Sequence, residues 1–141
     1  MPLTTEIRVR YAETDQMGVV YYSNYLVWFE IGRVELMRAL GFSYRQLEQE
    51  FGCILPVAEA RCRYHASARY DDQLQIETEP AVVRGSLVKF AYKIWRKATE
   101  EEERKLLADG ETTHMVCDKQ MNRKRLPEVY VTALKAMMAE K

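Results

Sequence analysis

Long hydrophobic runs are missing from this chain. No apolar stretch reaches the roughly 18–20 residues that a helix needs to cross a bilayer. The opening Met1-Pro2-Leu3-Thr4-Thr5 leads to Arg8 and Arg10 rather than to the apolar centre of a secretion signal. The cytoplasm is the expected location. An excess of one charge is missing too: lysine and arginine number 21, aspartate and glutamate 21. That balance gives no reason to expect a nucleic-acid partner, although it still allows a local basic patch for phosphates. Cysteine is scarce, and Cys53, Cys62 and Cys117 form no C-x-x-C pair, so three reduced structural thiols are expected. The two histidines, His65 and His114, have no companions at metal-binding spacing, and no metal site is expected. Repeats and low-complexity linkers are absent as well, and 141 residues suit a single domain spanning residues 1–141.

The periodicity gives an α+β layout. Ile7, Val9 and Tyr11 alternate with Arg8, Arg10 and Ala12, which predicts a strand over Thr5–Ala12. A long helix follows from Ser23, with Asn24 as the competing N-cap, to about Leu40, and Gly41 suits the left-handed position beyond it. Ser43–Phe51 reads as a short helix closed by Gly52. Strands are then expected at Ile54–Tyr64, with Pro56 marking an edge, and at Leu74–Glu79 and Val88–Trp95. Arg84-Gly85-Ser86 is a turn signal, and Thr99–Glu103 a charged hairpin tip. Leu106–Asp118 is the last strand, with Gly110 as a candidate bulge. The segment after Pro127, EVYVTALKAMMAEK, predicts a C-terminal helix.

Most of the chemistry is concentrated in YAETDQMGVVYYSNYLVWFEIGRVELMRALG, Tyr11 to Gly41. Asp15 lies on a short loop, Gly18 follows it, and a helix with five consecutive apolar residues, Tyr25 to Phe29, comes next. A helix apolar on every side at its start is expected to be buried. Its first N–H groups then sit in a dry place at the positive end of the dipole. A carboxylate facing such a terminus can activate water or attack an acyl carbon while the N–H groups hold an oxyanion. The plainer alternative is that Asp15 caps a turn or the helix. Gly18 allows either a close backbone approach to a substrate or a simple turn. Tyr11 is a core aromatic or a hydrogen-bonding neighbour of Asp15. Tyr25, Trp28 and Phe29 have core spacing, with Tyr25 also a candidate for lining an acyl pocket.

This chain resembles the 4-hydroxybenzoyl-CoA thioesterase family of the hotdog fold. The resemblance rests on IRVRYAETD, on the TD-x-x-G-x-V-x-Y-x-x-Y core, and on LVWFEIGRVELMRALG. It continues through YHASARYDDQLQIET, RGSLVKFAYKIWR and ADGETTHMVCD, from about Ile7 to Pro127. It implies a five-stranded, mostly antiparallel curled sheet wrapped around one long central helix. It also implies hydrolysis of an acyl-CoA, with Asp15 as nucleophile or general base and the Tyr22 backbone N–H as oxyanion donor. Tyr11, Gly18 and Tyr25 would then be substrate-binding. One branch of the family carries a histidine where this chain has Tyr22, and neither His65 nor His114 matches that position.

CoA would be part of the substrate, with no separate cofactor. Its phosphates would suit basic side chains, with Arg84, Lys89 and Arg123 as candidates among clusters that include Lys93, Lys124 and Arg125; the alternative is a solvated basic face. Homo-oligomers are implied, a dimer at least and a tetramer by resemblance, because one sheet on one helix leaves edges to cover. Two other functions compete: a non-catalytic protein that binds acyl thioesters, and a hotdog dehydratase. The dehydratase needs an acid–base pair, and no histidine lies near the Asp15 loop in sequence.

Overall fold

The computed structural model describes residues 2–139. Strand β1 (Leu3–Arg8) is followed by a 3-10 turn (Tyr11–Glu13), helix α1 (Asn24–Ala39) and helix α2 (Tyr44–Phe51). Strands β2 (Val57–Tyr64), β3 (Gln73–Arg84), β4 (Leu87–Arg96) and β5 (Lys105–Met115) come next, and helix α3 (Glu128–Ala139) ends the described chain. The two final residues of the expected C-terminal helix, Glu140 and Lys141, lie outside the described residues. The strands form one antiparallel sheet in the order β1-β3-β4-β5-β2. This is the expected α+β architecture.

One face of the sheet carries the core. Leu74, Ile76 and Thr78 on β3 are buried, as are Val88, Phe90, Tyr92 and Ile94 on β4. The period of two in the sequence is therefore the inside–outside alternation of a half-buried sheet. Helix α1 lies on this face. The Phe29 ring stacks on Tyr92 with centroids 4.3 Å apart and planes 5° from parallel. Two glycines let the layers approach. A Cβ on Gly32 would stand 2.3 Å from Thr78 Oγ1, and one on Gly110 would stand 2.2 Å from the Arg61 carbonyl and 2.8 Å from the Phe29 ring.

Gly110 is thus not the expected bulge. It is paired in register with Cys62 and Tyr92, and its lack of a side chain makes room for Phe29. The irregularity on that strand falls opposite Ile94 and Trp95, where the register skips Leu107. Consecutive Leu107 and Ala108 are both buried as a result. Three other expectations also change. β1 ends at Arg8, and Tyr11 lies on the 3-10 turn. Tyr11 is 77% exposed and packs edge-on against Tyr70, so it is no core aromatic. The first turns of α1 are not covered all round: Trp28 and Phe29 are fully buried, but Leu26 and Val27 face out. A helix resting on one sheet has a far side, and apolar sequence there does not bury it.

The start of α2 and the far ends of both helices follow their sequence signals, whereas the start of α1 does not. Ser43 Oγ accepts the Gln46 N–H at 3.0 Å, and Gly41 and Gly52 take positive φ past the ends of α1 and α2. Ser23 occupies the cap position of α1 but makes no capping bond, while the Asn24 amide donates instead to the Glu13 carbonyl at 2.9 Å.

His114 is fully buried on β5. Its Nδ1 lies 3.0 Å from the Leu55 carbonyl and its Nε2 2.8 Å from Thr112 Oγ1, which in turn lies 2.6 Å from the Tyr92 hydroxyl. Burial disfavours the charged ring and lowers its pKa from 6.5 to about 4. The unfolded chain therefore takes up this proton first as pH falls, and stability is lost between pH 6.5 and 4. The shift corresponds to on the order of 3 kcal/mol. Urea titrations of wild type and His114→Gln across that interval should show a steeper acid loss for wild type; parallel curves would refute a neutral buried imidazole.

Candidate active site

The Asp15 loop is a small closed structure built from backbone bonds. Asp15 N–H donates to the Val19 carbonyl at 2.9 Å, and Gly18 N–H to the Asp15 carbonyl at 3.0 Å. Thr14 and Val20 form an isolated antiparallel bridge. Gly18 sits at φ +81° with open space around its Cα, so here it serves the turn. Asp15 Oδ1 accepts the Met17 N–H at 2.9 Å. One carboxylate oxygen is thus oriented by the turn, and the residue is half-buried rather than hidden.

Glu13 fixes this loop to the helix, and the sequence reading missed it. Its carboxylate is buried. Oε1 accepts the Arg10 N–H at 2.8 Å and Oε2 the Trp28 indole N–H at 2.9 Å, with the Arg10 guanidinium 3.6 Å away. Its carbonyl accepts both the Tyr21 N–H and the Asn24 amide, each at 2.9 Å. Both arms of the Asp15 loop and the start of α1 therefore converge on one residue. The Arg10–Glu13 spacing of three was a visible signal; the role of Trp28 was not.

Beside the loop lies an open cavity of about 440 Å³ lined by residues that include Asp15, Met17, Tyr21, Tyr22, Tyr25, Tyr64 and His65. Of the residues singled out from the sequence, Asp15, Tyr22 and Tyr25 meet here, while Tyr11 and Gly18 are outside the lining. Tyr25 is buried, its hydroxyl accepts the Ala68 N–H at 3.1 Å, and its ring meets Tyr64 edge-on at 5.0 Å. Burial raises its pKa. Tyr22 is exposed, and its carbonyl accepts the Tyr64 hydroxyl at 3.1 Å. Among the described residues no acceptor takes the Tyr22 N–H. The Tyr21 hydroxyl has its pKa raised first by its side-chain hydrogen bond to Tyr22, and the charge on Asp15 adds to this.

Tyr64, His65 and Tyr21 also join the cavity; none was a site candidate from the sequence, and Tyr64 and His65 lie some fifty residues from Asp15. The Leu107 bulge explains their placement: its carbonyl accepts both the His65 and Ala66 N–H groups, at 2.8 and 3.2 Å. The Val20 N–H then bonds to the Ala68 carbonyl at 2.9 Å and ties the segment to the Asp15 loop.

The basic candidates lie elsewhere in the chain. Arg84 and Lys89 flank the β3–β4 turn, near the end where β4 meets His114 and Met115. Arg123 bridges to Cys117 just beyond. The Asp15 cavity is at the other end of β5, where Tyr64 pairs with Ala108. Six residues of strand separate His114 from Ala108, roughly 20 Å. One chain does not bring these basic groups to Asp15.

A family model described as the thioesterase-like superfamily matches residues 9–135. The Bacillus subtilis (strain 168) protein named "Putative acyl-CoA thioesterase YneP" is 37% identical over 115 residues, covering 82% of this chain and 79% of that one. The acyl-CoA thioesterase YbgC of Haemophilus influenzae is 37% identical over 90 residues, 64% of this chain and 66% of its own length. The crystal structure of a DHNA-CoA thioesterase from Staphylococcus aureus superposes with a TM-score of 0.84 at 32% identity, covering 97% of this chain and 93% of that one.

Replacing Glu13 by Ala strands the buried Trp28 indole N–H and takes the acceptor from the part-buried Arg10 N–H. At about 1–3 kcal/mol for each unsatisfied buried donor, Glu13→Ala is expected to lower unfolding free energy by about 2–4 kcal/mol in urea. A loss under about 0.5 kcal/mol would mean that these bonds do not hold the loop.

Proposed function

Because the chain belongs to the thioesterase-like superfamily, we propose that it hydrolyses an acyl-CoA to a carboxylic acid and free CoA, with Asp15 as the reacting carboxylate. The observation that carries this reading is the meeting of Asp15 and the unpaired Tyr22 N–H at the start of α1, on one open cavity. A thioester is an activated acyl group. A positioned carboxylate and an oxyanion donor are enough to open it without a serine nucleophile. In this reading Asp15 attacks the carbonyl carbon or deprotonates water, and the Tyr22 N–H donates a hydrogen bond to the carbonyl oxygen as negative charge grows on it. Tyr25 borders the acyl side of the cavity. No separate cofactor takes part.

The functional unit in this reading is at least a dimer, with dimers pairing into a tetramer. Strand β2 is the free edge of the sheet beyond β5; Val57 and Tyr64 on it are exposed apolar groups, Tyr64 at the cavity and Val57 at the opposite end of the strand. Unpaired edges invite a second chain. Two β2 strands related by a two-fold axis run antiparallel, so the Tyr64 end of one lies beside the Val57 end of the other. Arg84 and Arg123 of the partner subunit would then approach the cavity that their own chain's fold keeps them from. This arrangement gives a reason for basic groups so distant from Asp15 within one chain.

Thiol release from a panel of acyl-CoAs, for wild type and Asp15→Asn in parallel, tests the activity. A loss of about 10²-fold or more with the fold retained is expected. Equal turnover in both proteins would overturn the assignment of Asp15, and no turnover by either would favour a protein that only binds acyl thioesters. Light scattering at micromolar concentration should return the mass of two or four chains; a single-chain mass would overturn the shared cavity.

A further inference from the structure

We propose that His65 is a second catalytic group of this cavity, the base that activates water, and that Asp109 is its positioning residue; this rests on the thioesterase reading above. His65 lines the same cavity as Asp15. Its ring is not free to turn: Nε2 lies 2.5 Å from Asp109 Oδ2. An ionised carboxylate accepts hydrogen bonds and donates none, so Nε2 carries the hydrogen and Nδ1 keeps the lone pair. Among the described residues Nδ1 has no partner. The backbone is fixed as well, because His65 N–H donates to the bulged Leu107 carbonyl at 2.8 Å. The pair is about one-third exposed, 37% for His65 and 38% for Asp109, which leaves it open to water and to a ligand. A carboxylate that orients an imidazole beside a reacting centre is a recurrent device for proton transfer.

The consequence is a division of labour. Asp15 attacks the thioester carbon and the carbon–sulfur bond breaks. CoA leaves as thiolate and an acyl-Asp15 anhydride remains. Water then adds to the acyl carbon while His65 Nδ1 takes one of its protons. The bond from the acyl carbon to the Asp15 oxygen breaks, which restores the carboxylate and releases the acid. The proton on His65 passes to the CoA thiolate, so that one thioester and one water give one acid and one thiol. His65 thus serves the second half of the reaction and leaves the first to Asp15.

Rapid-mixing measurement of thiol release separates the two halves. His65→Gln is expected to release one equivalent of thiol per site at the wild-type rate and then to turn over about 10²-fold more slowly, with free imidazole in the buffer restoring part of the slow phase. Asp109→Asn keeps the imidazole and loses its anchor. It should retain the burst with a smaller fall in the slow phase, and it carries the test if His65→Gln does not fold. Unchanged turnover in His65→Gln, or burst and turnover lowered together without imidazole rescue, would overturn the role of His65. In either case a dead Asp15→Asn without a burst would leave the thioesterase reading standing. A wild-type protein inactive on every acyl-CoA would overturn both.

Discussion

The buried carboxylate of Glu13 is the joint on which the rest of the site depends. A charge taken out of water must be met by donors, and here they come from two directions: Arg10 on the incoming chain and Trp28 on the helix. The carbonyl of the same residue holds the outgoing chain through the Tyr21 N–H and the Asn24 amide. The loop between those anchors is short, so Asp15 has little freedom relative to the start of α1. Position is what the proposed chemistry needs most, since a carboxylate at the wrong distance from an oxyanion donor gains nothing from being reactive.

The sheet supplies the other wall of the cavity. Its closeness to α1 comes from two missing side chains, at Gly32 and Gly110, which let Phe29 lie flat on Tyr92. One extra residue on β5, Leu107, turns its carbonyl toward the segment after β2 and sets His65 at the rim. A local irregularity in pairing thereby places a side chain that regular strand geometry would aim elsewhere. His114 is the opposite case. It is satisfied inside the core, kept neutral by burial, and far along the strand from Asp15. Two histidines of similar standing in the sequence therefore have different chemical prospects.

Exposed apolar groups gather around the same cavity. Met17, Tyr21, Tyr22 and Tyr64 line it and are solvent-facing in the single chain, while Leu26, Val27 and Val57 are exposed outside its lining. Their position beside the free β2 edge is what gives the dimer reading its physical content.

Much was legible in the sequence because the governing forces are local. Alternation along Leu74–Glu79 and Val88–Trp95 fixed which side of each strand is buried. Glycine at 41 and 52 ended the helices through positive φ, and Ser43 announced its own cap. Asp15, Tyr22 and Tyr25 came together because they share one short loop and the helix that follows it. The tertiary structure alone decided the rest. It turned Tyr11 outward and made Gly110 a packing site rather than a bulge. It also carried Tyr64 and His65 across some fifty residues to Asp15, and left Arg84 and Arg123 at the far end of the sheet. Periodicity and capping act within a few residues of the chain, whereas the meeting of distant side chains depends on strand register, where one skipped residue redirects everything after it.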